Sequence, residues 1–406
     1  KDSLNVPKLR FEGYNEEWKK IKLGEHLNIC RGASPRPIEK YITMQSNGIN
    51  WIKIGDISPK ENVIKTTKEK ITEEGAKHSR YVRKGDLILS NSMSFGRPYI
   101  LEIDGCIHDG WLLIQDLEKL FDKKYLCYLL DSDTVKHQYR KYAAGGVVIN
   151  LNSELVRSVS VFIPKVQEQE KIASFLTLID KKIEKQKELV ELLKKYKRGL
   201  LSQIFSQKLR FKDENGNNYP DWEEKRLGDI CTIIGGGTPD TNNDKYWGDD
   251  INWFTPTEII KKYVDCSNRK ISNLGLLKSS AKILPIGTVL LTTRATLGEM
   301  SILQIEATTN QGFQSLIPNK NLVTSEFIYY CQPIIKYYCY KYANGSTFLE
   351  ISKQSLAKLK LKIPYLNEQN KISEYLSKFD NKIQQEESRL NYLQMYKKGL
   401  LQQMFI

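Results

Sequence analysis

Residues Ile163–Phe205 read IPKVQEQEKIASFLTLIDKKIEKQKELVELLKKYKRGLLSQIF, and Ile363–Phe405 read IPYLNEQNKISEYLSKFDNKIQQEESRLNYLQMYKKGLLQQMF. The two align without a gap at a constant offset of 200, with Ile163/Ile363, Pro164/Pro364, Glu168/Glu368, Gln169/Gln369, Asp180/Asp380, Tyr196/Tyr396 and Gly199/Gly399 among the identical pairs. A repeat this long outweighs any single motif in deciding a fold: the chain is one module written twice. Within each copy apolar residues recur every three or four positions. Ile172, Leu176, Ile179, Ile183, Val190, Leu193, Tyr196, Leu200 and Ile204 trace one seam, and Ile372, Leu376, Phe379, Ile383, Leu390, Leu393, Tyr396, Leu400 and Met404 trace the other. That spacing predicts two long helices with a coiled-coil seam, each a rod of about 50 Å. Gln186 and Glu386 interrupt the seam at matching places, and polar seam residues fix register. A helix so long and so narrowly apolar needs a partner, and the simplest partner is the other copy. The simpler alternative makes each an ordinary core helix of its own domain.

The repeat extends beyond the helices. Lys8-Leu9-Arg10-Phe11, Trp18 and Leu23-Gly24 open the first half, and Lys208-Leu209-Arg210-Phe211, Trp222 and Leu227-Gly228 open the second. Turn-rich loops follow, Arg31-Gly32-Ala33-Ser34-Pro35-Arg36 and Gly235-Gly236-Gly237-Thr238-Pro239-Asp240. Trp51 and Trp253 each lead a short apolar run that reads as a strand. A second strand in each half, Gly85–Ser90 and Gly287–Thr292, ends in small hydroxylated residues and a Gly. His108-Asp109-Gly110-Trp111 then matches Asn310-Gln311-Gly312-Phe313. A Tyr-rich helical stretch (Tyr125 to Tyr142; Phe327 to Tyr342), a Gly loop and a final strand close each half. Identity is high in the helices and falls in the globular parts except at these landmarks, so one frame carries two sets of surface loops.

The 406 residues, 40% of them hydrophobic, suffice for two or three domains with real cores. No run of eighteen apolar residues exists, so no membrane-spanning helix is expected. No secretory signal is visible at Lys1, although the chain does not begin with Met. Seven scattered Cys without a CxxC pair point to a reducing compartment with neither zinc site nor disulfide frame. The net charge of +14 and a pI near 9.2 are the footprint of a polyanion binder.

In order, and twice over, these landmarks resemble the specificity (S) subunit of Type I DNA restriction–modification enzymes. The carriers are the Lys-Leu-Arg-Phe openings, Gly235–Pro239, Gly85–Ser90, Asn310–Phe313, Gly345-Ser346-Thr347 and the Ile-Pro…Glu-Gln start of each helix. The resemblance implies an α/β (α+β) fold. By that resemblance, residues 1–162 and 207–362 would be two similar target recognition domains, separated by the central (163–206) and distal (363–406) conserved helices. It also implies partners: double-stranded DNA, two methyltransferase (M) subunits docked on the helices, and restriction (R) subunits. S-adenosylmethionine, ATP and Mg would sit on those partners, with no cofactor on this chain, in a bacterial cytoplasm and with no membrane. The first half departs from the family pattern at Ser92, where Arg294 stands in the second, and at Gly145-Gly146-Val147 and Arg31–Ser34. The two halves are therefore not expected to touch DNA through the same atoms.

A two-fold relation between the halves would place Lys8–Phe11 beside the end of the distal helix, because Lys208–Phe211 follows directly from the end of the central one. The helices would then be antiparallel, with one recognition domain at each end. Such a relation suits duplex DNA, whose half-sites repeat every 34–36 Å or so, and would enforce a gap of unread base pairs. Lys and Arg would neutralise phosphates, while loop side chains read base edges, each good bidentate pair discriminating by about 1–3 kcal/mol. Candidate readers are Arg31, Ser34, Arg36, Ser90, Asn91, Ser92 and Arg97 in the first half. In the second they are Thr238, Thr292, Arg294, Thr296, Ser346 and Thr347, with Arg294 foremost. For each the competing role is that of a plain turn or solvated residue. No amino-methyltransferase Asn/Asp-Pro-Pro-Tyr/Phe motif, P-loop, dinucleotide fingerprint or nuclease carboxylate pair is present. The rival readings are a nuclease or methyltransferase with a cryptic active site, and a coiled-coil scaffold.

Overall fold

The two long helices are present as Val166–Phe205 (α1) and Leu366–Met404 (α2), of 40 and 39 residues. At 1.5 Å per residue each is roughly 60 Å long, longer than the seam alone predicts. The computed structural model describes residues 5–56, 62–91, 96–143, 151–294, 296–343 and 350–406. The chain divides into Lys1–Glu188 with Glu387–Ile406 (unit 1) and Leu189–Glu386 (unit 2), so each boundary falls inside a long helix. Among the described residues no helix is long and apolar enough to cross a membrane.

In unit 1 the first turns of α1 (Ile172, Ala173, Leu176) share a core with the last turns of α2 (Leu400, Met404, Phe405). Further along α1, Asp180 pairs at 2.6 Å with Lys397, which lies earlier in α2. Unit 2 repeats this with roles exchanged: Ile372 and Leu376 of α2 pack with Leu200 and Ile204 of α1, and Asp380 pairs with Lys197. The helices are therefore antiparallel, and each unit borrows the end of the other copy's helix. Gln186 and Glu386 do lie in the seam, 7% exposed each. Tyr196 and Tyr396 do not: they are 54% and 43% exposed. An α-helix drifts by about 20° per heptad from a 3.5-residue repeat, which carries them to the margin of the stripe. The ring of Tyr196 still leans on Phe379, centroids 5.5 Å apart.

The Ile-Pro…Glu-Gln start of each helix bolts it to its globular part. Glu168, 2% exposed, accepts two bonds from Arg10, both 2.8 Å, and Glu368, fully buried, accepts two from Arg210 at 2.8 and 3.0 Å. Gln169 accepts the Asp122 N–H (2.9 Å) and donates to the Leu120 and Pro164 carbonyls; Gln369 does the same with Thr324, Leu322 and Pro364. The opening segments lie where the two-fold argument places them. The Leu9 N–H donates to the Gln403 carbonyl at the end of α2 (3.0 Å), and Leu209 to Gln203 at the end of α1 (3.1 Å).

Each unit carries a five-stranded sheet whose topology is the same in both. In unit 1, Leu27–Arg31 (β1), Val63–Ile64 (β2), Leu87–Ser90 (β3), Pro98–Leu101 (β4) and Trp111–Asp116 (β5) stand in the order β1-β5-β3-β4-β2. In unit 2, Cys231–Gly235 (β6), Tyr263–Val264 (β7), Val289–Leu291 (β8), Met300–Leu303 (β9) and Gln314–Pro318 (β10) stand in the order β6-β10-β8-β9-β7. Neighbours are antiparallel except the parallel pairs β2–β4 and β7–β9. The strand period of two sorts their side chains. Leu87 and Leu89 face the helices, and Ile88 faces a second sheet. That second sheet contains Ile49–Ile52 in unit 1 and Trp247–Phe254 in unit 2.

Two expectations need correcting. Trp51 and Trp253 end strands rather than lead them: 3-10 turns follow at Ile54–Asp56 and Pro256–Glu258. Pro256 lacks the N–H a strand would use. Each Tyr-rich stretch is two helices, not one: Lys123–Asp131 and Asp133–Ala143, then Ser325–Tyr330 and Gln332–Tyr342. Extended backbone at Ser132 (ψ 152°) breaks the first pair.

Candidate nucleic-acid interface

The turn that leaves β3 is clasped by its own hydroxyl. The Ser90 N–H donates to the Arg97 carbonyl (3.0 Å), Gly96 N–H returns to the Ser90 carbonyl (2.9 Å), and Ser90 Oγ accepts the Arg97 N–H (3.1 Å). After β8, Thr292, Gly298 and Glu299 repeat the clasp: 2.9 Å to the Glu299 carbonyl, 2.9 Å from Gly298, and 3.0 Å from the Glu299 N–H to Thr292 Oγ1. Gly298 has φ +84°, and a Cβ there would lie 2.6 Å from Lys336 Cγ. Ser90 and Thr292 are both fully buried. Expected as base readers, they instead hold the turn, because both hydroxyls are buried within it and present nothing outward.

Against this turn rests the loop after β1. Its hub in unit 1 is Asp109. Ser34 Oγ donates to Asp109 Oδ1 (3.1 Å), His108 Nε2 lies 3.2 Å from the same oxygen, and Arg36 stands 3.8 Å from Oδ2 with its side chain 85% exposed. Arg31 Nε (2.9 Å) and Asn91 Nδ2 (3.0 Å) both donate to the Asp109 carbonyl, and Arg80 Nε donates to the Arg31 carbonyl (2.5 Å). Asn91 is buried, so it positions the hub rather than reading a base. Gly110 N–H donates to His108 Nδ1 (2.8 Å), so that nitrogen carries no proton. Burial pushes the imidazole below its ordinary value; Asp109 opposes this, and Lys53 and Arg31 add to it.

Unit 2 builds the same hub from different chemistry. Gln311 replaces Asp109 and accepts Thr238 Oγ1 (2.5 Å); Asn310 replaces His108, its Oδ1 accepting the Gly312 N–H (2.8 Å). A Cβ on Gly236 would lie 1.9 Å from the Asn310 carbonyl, so this glycine serves close approach of loop to loop. A carboxylate only accepts, whereas an amide accepts and donates, so the two hubs offer different faces. Beneath the second hub, Thr293 Oγ1, Thr309 Oγ1 and Ser315 Oγ are buried without a hydrogen-bond partner among the described residues.

The remaining candidates lie at the rim. Arg294, 49% exposed, pairs through Nε with Glu350 (3.0 Å). Thr296 is exposed, its hydroxyl 3.4 Å from the Pro256 carbonyl. Arg97 is turned inward: Nη2 and Nε reach Asn62 Oδ1 at 2.8 and 3.2 Å, and the guanidinium lies over the Tyr99 ring. Ser92, Ser346 and Thr347 lie outside the described residues. The structure thus gathers Arg31, Ser34, Arg36 and Asn91 around one hub in unit 1. In unit 2 it joins Thr238 to Gln311. The hub residues Asp109 and Gln311, and Arg80 beside the first hub, were not among the expected positions. Their signal was the matched His-Asp-Gly-Trp and Asn-Gln-Gly-Phe stretches, visible as landmarks but silent about contacts. Among the described residues no three His, Cys, Asp or Glu side chains group as metal ligands.

The chain matches the family described as Type I restriction modification DNA specificity domain over residues 15–194 and again over 219–395. It is 35% identical over 208 residues to the Type I restriction enzyme MjaIX specificity subunit of Methanocaldococcus jannaschii, a match covering 50% of this chain and 48% of that protein. The chain thus spans about half the length of that relative. A putative type I restriction enzyme MjaX specificity subunit from the same organism is 24% identical over 421 residues, covering 98% of this chain and 95% of its own. A solved chain from work on complex assembly and conformational transition of the type I R-M system superposes with a TM-score of 0.61 at 19% identity, over 95% of this chain and 96% of its own. At that identity the shared property is the fold.

Proposed function

Since the chain belongs to the Type I restriction modification DNA specificity family, we propose that it is the DNA sequence-recognition subunit of a Type I restriction–modification complex. Its target is bipartite and asymmetric, with an unread spacer. Each unit reads one half-site through the loops around its hub: Arg36, Arg31 and Ser34 in unit 1, Arg294, Thr296, Thr238 and Gln311 in unit 2. Exposed Lys and Arg supply the salt-dependent phosphate contacts that set register. The observation that carries this reading is one hub geometry built twice from different side chains, carboxylate and imidazole against two amides. Identical scaffolds with unlike donors and acceptors are what two different half-sites require.

Chemistry belongs to partners: two methyltransferase subunits using S-adenosylmethionine, and restriction subunits using ATP and Mg. The complex acts in the cytoplasm. Purified alone with metal, ATP and S-adenosylmethionine, the chain should neither cut nor methylate DNA; turnover would favour a cryptic active site. The decisive experiment exchanges residues 1–162 for the first domain of another family member, in cells carrying the partner subunits. Methylation mapping should show one half-site changed and the other kept. Both halves changing would overturn the assignment of one half-site to each unit.

A further inference from the structure

The helix Gln332–Tyr342 of unit 2 reads QPIIKYYCYKY: two Lys, four Tyr and no acid. Ile335 and Cys339 bury one face. The opposite side leaves Tyr337 69% and Tyr340 53% exposed, well beyond what burial explains, with Lys341 beside them. The helix is fastened to the turn after β8. Gln332 Nε2 donates to the Gly298 carbonyl (3.2 Å) and Glu299 Oε2 (2.9 Å), and Lys336 pairs with Glu299. Beyond the helix, Glu350 returns to that turn through its 3.0 Å pair with Arg294. In unit 1 the helix Asp133–Ala143 places exposed His137, Arg140 and Lys141 at the positions of Tyr337, Tyr340 and Lys341.

We propose that Tyr337, Tyr340 and Lys341 form a second, sequence-independent contact to the backbone of duplex DNA just outside the half-site read by unit 2, with His137, Arg140 and Lys141 their counterparts in unit 1. The partner is identified by charge: the helix carries no acid, its ammonium and phenol groups can all donate to an anion, and its rings offer flat surface. Phosphate oxygens accept from Lys and Tyr alike, while the rings cover sugar edges. Interchange of Tyr with Arg and His between units keeps donors to phosphate and keeps no shape that a protein groove would read. This rests on the DNA-recognition reading above and adds an affinity element carrying no sequence information.

The test compares the full chain, assembled with its methyltransferase subunits, against Tyr337→Ser/Tyr340→Ser/Lys341→Gln and against Lys341→Gln alone, which leaves the buried Ile335 and Cys339 face in place. Binding to a duplex containing the mapped target is measured across salt concentrations. The slope of log K against log salt should flatten by about 0.9 for the lost Lys, roughly an eightfold loss of affinity at 0.1 M relative to 1 M salt. The triple variant should lose more, on target and non-target duplexes alike, with the methylated motif unchanged. Lys341→Gln with the parent's slope, or a triple variant whose motif changes, would overturn the inference. So would variants that bind DNA normally once assembled but assemble poorly, which would make the face a protein dock. A parent complex that does not bind the duplex at all would instead remove the DNA-recognition reading.

Discussion

Replacing Arg210 with Met tests whether the helices are bolted to the recognition domains as described. Glu368 is fully buried, and its carboxylate accepts Arg210 Nε (2.8 Å), Arg210 Nη2 (3.0 Å) and Trp222 Nε1 (3.1 Å). Arg210 Nη2 also satisfies the Tyr219 and Pro220 carbonyls at 3.2 and 2.7 Å. Without the guanidinium, a buried carboxylate keeps one neutral donor. Breaking a buried pair from one side costs about 3–5 kcal/mol. Because the Arg210 side chain is itself 23% exposed, water can reach part of the gap, which places the loss near the lower end of that range. Arg10→Met should cost more: Glu168 is held by Arg10, and Trp18 Nε1, unlike Trp222, has no partner among the described residues. Arg210→Met/Glu368→Gln should recover most of the loss, since the amide keeps an acceptor for Trp222 and the buried charge is gone. The assay is urea unfolding of the full chain, with hydrogen exchange followed in the first turns of α2 and in residues 209–222. A loss below about 1 kcal/mol, the worth of a surface pair, or a double variant as weak as the single one, would refute the anchoring role.

Other consequences are sharper in direction than in size. His108 has a depressed pKa in the fold. Its contribution is thus complete above the ordinary value of 6.5 and lost as pH falls through the lower folded value, because the unfolded chain binds the proton first. His108→Asn, copying Asn310, should remove that part of the acid sensitivity in thermal midpoints from pH 8 to 5; an unchanged profile would contradict it. Gly199 and Gly399 sit inside α1 and α2, and a Cβ at either would meet nothing within 4 Å. Gly199→Ala and Gly399→Ala should each stabilise the isolated chain by about 1 kcal/mol, and a destabilised variant in urea unfolding would show a hidden steric need. Thr309→Val removes a buried hydroxyl that has no partner among the described residues and should raise stability by about 1 kcal/mol; a lowered midpoint would reveal a bond to that oxygen.

The functional logic turns on a common frame with unlike contents. Tyr128 donates to Asp180 at 2.7 Å and Tyr330 to Asp380 at 2.6 Å, and each Asp takes its Lys, Lys397 or Lys197, from the other copy's helix. These joints are nearly the same in both units, whereas the hubs around Asp109 and Gln311 differ in charge and donor count. The hubs vary in what their loops present, while these joints between helix and globular part are kept.

The order of residues was enough, on its own, to reveal the duplication, both long helices, the strands β3 and β8, and the neighbourhood of Lys8–Phe11 with the end of α2; the Gly loops at 144–146 and 344–347 lie outside the described residues. These are regularities along one dimension: period, repeat and turn chemistry leave their mark in neighbouring letters because the hydrogen bonds that cause them are local. Direction and commitment of side chains are not of that kind. Ser90 and Thr292 look like loop-tip donors in the sequence, yet both are spent on their own turn. Arg97 faces Asn62, Tyr196 slips to the edge of its seam, and Asp109 becomes a hub because five groups from three separate segments converge on it. Only the folded chain decides these, since burial and partner choice depend on which distant segments arrive together, and a desolvated polar group must take whatever partner that meeting supplies.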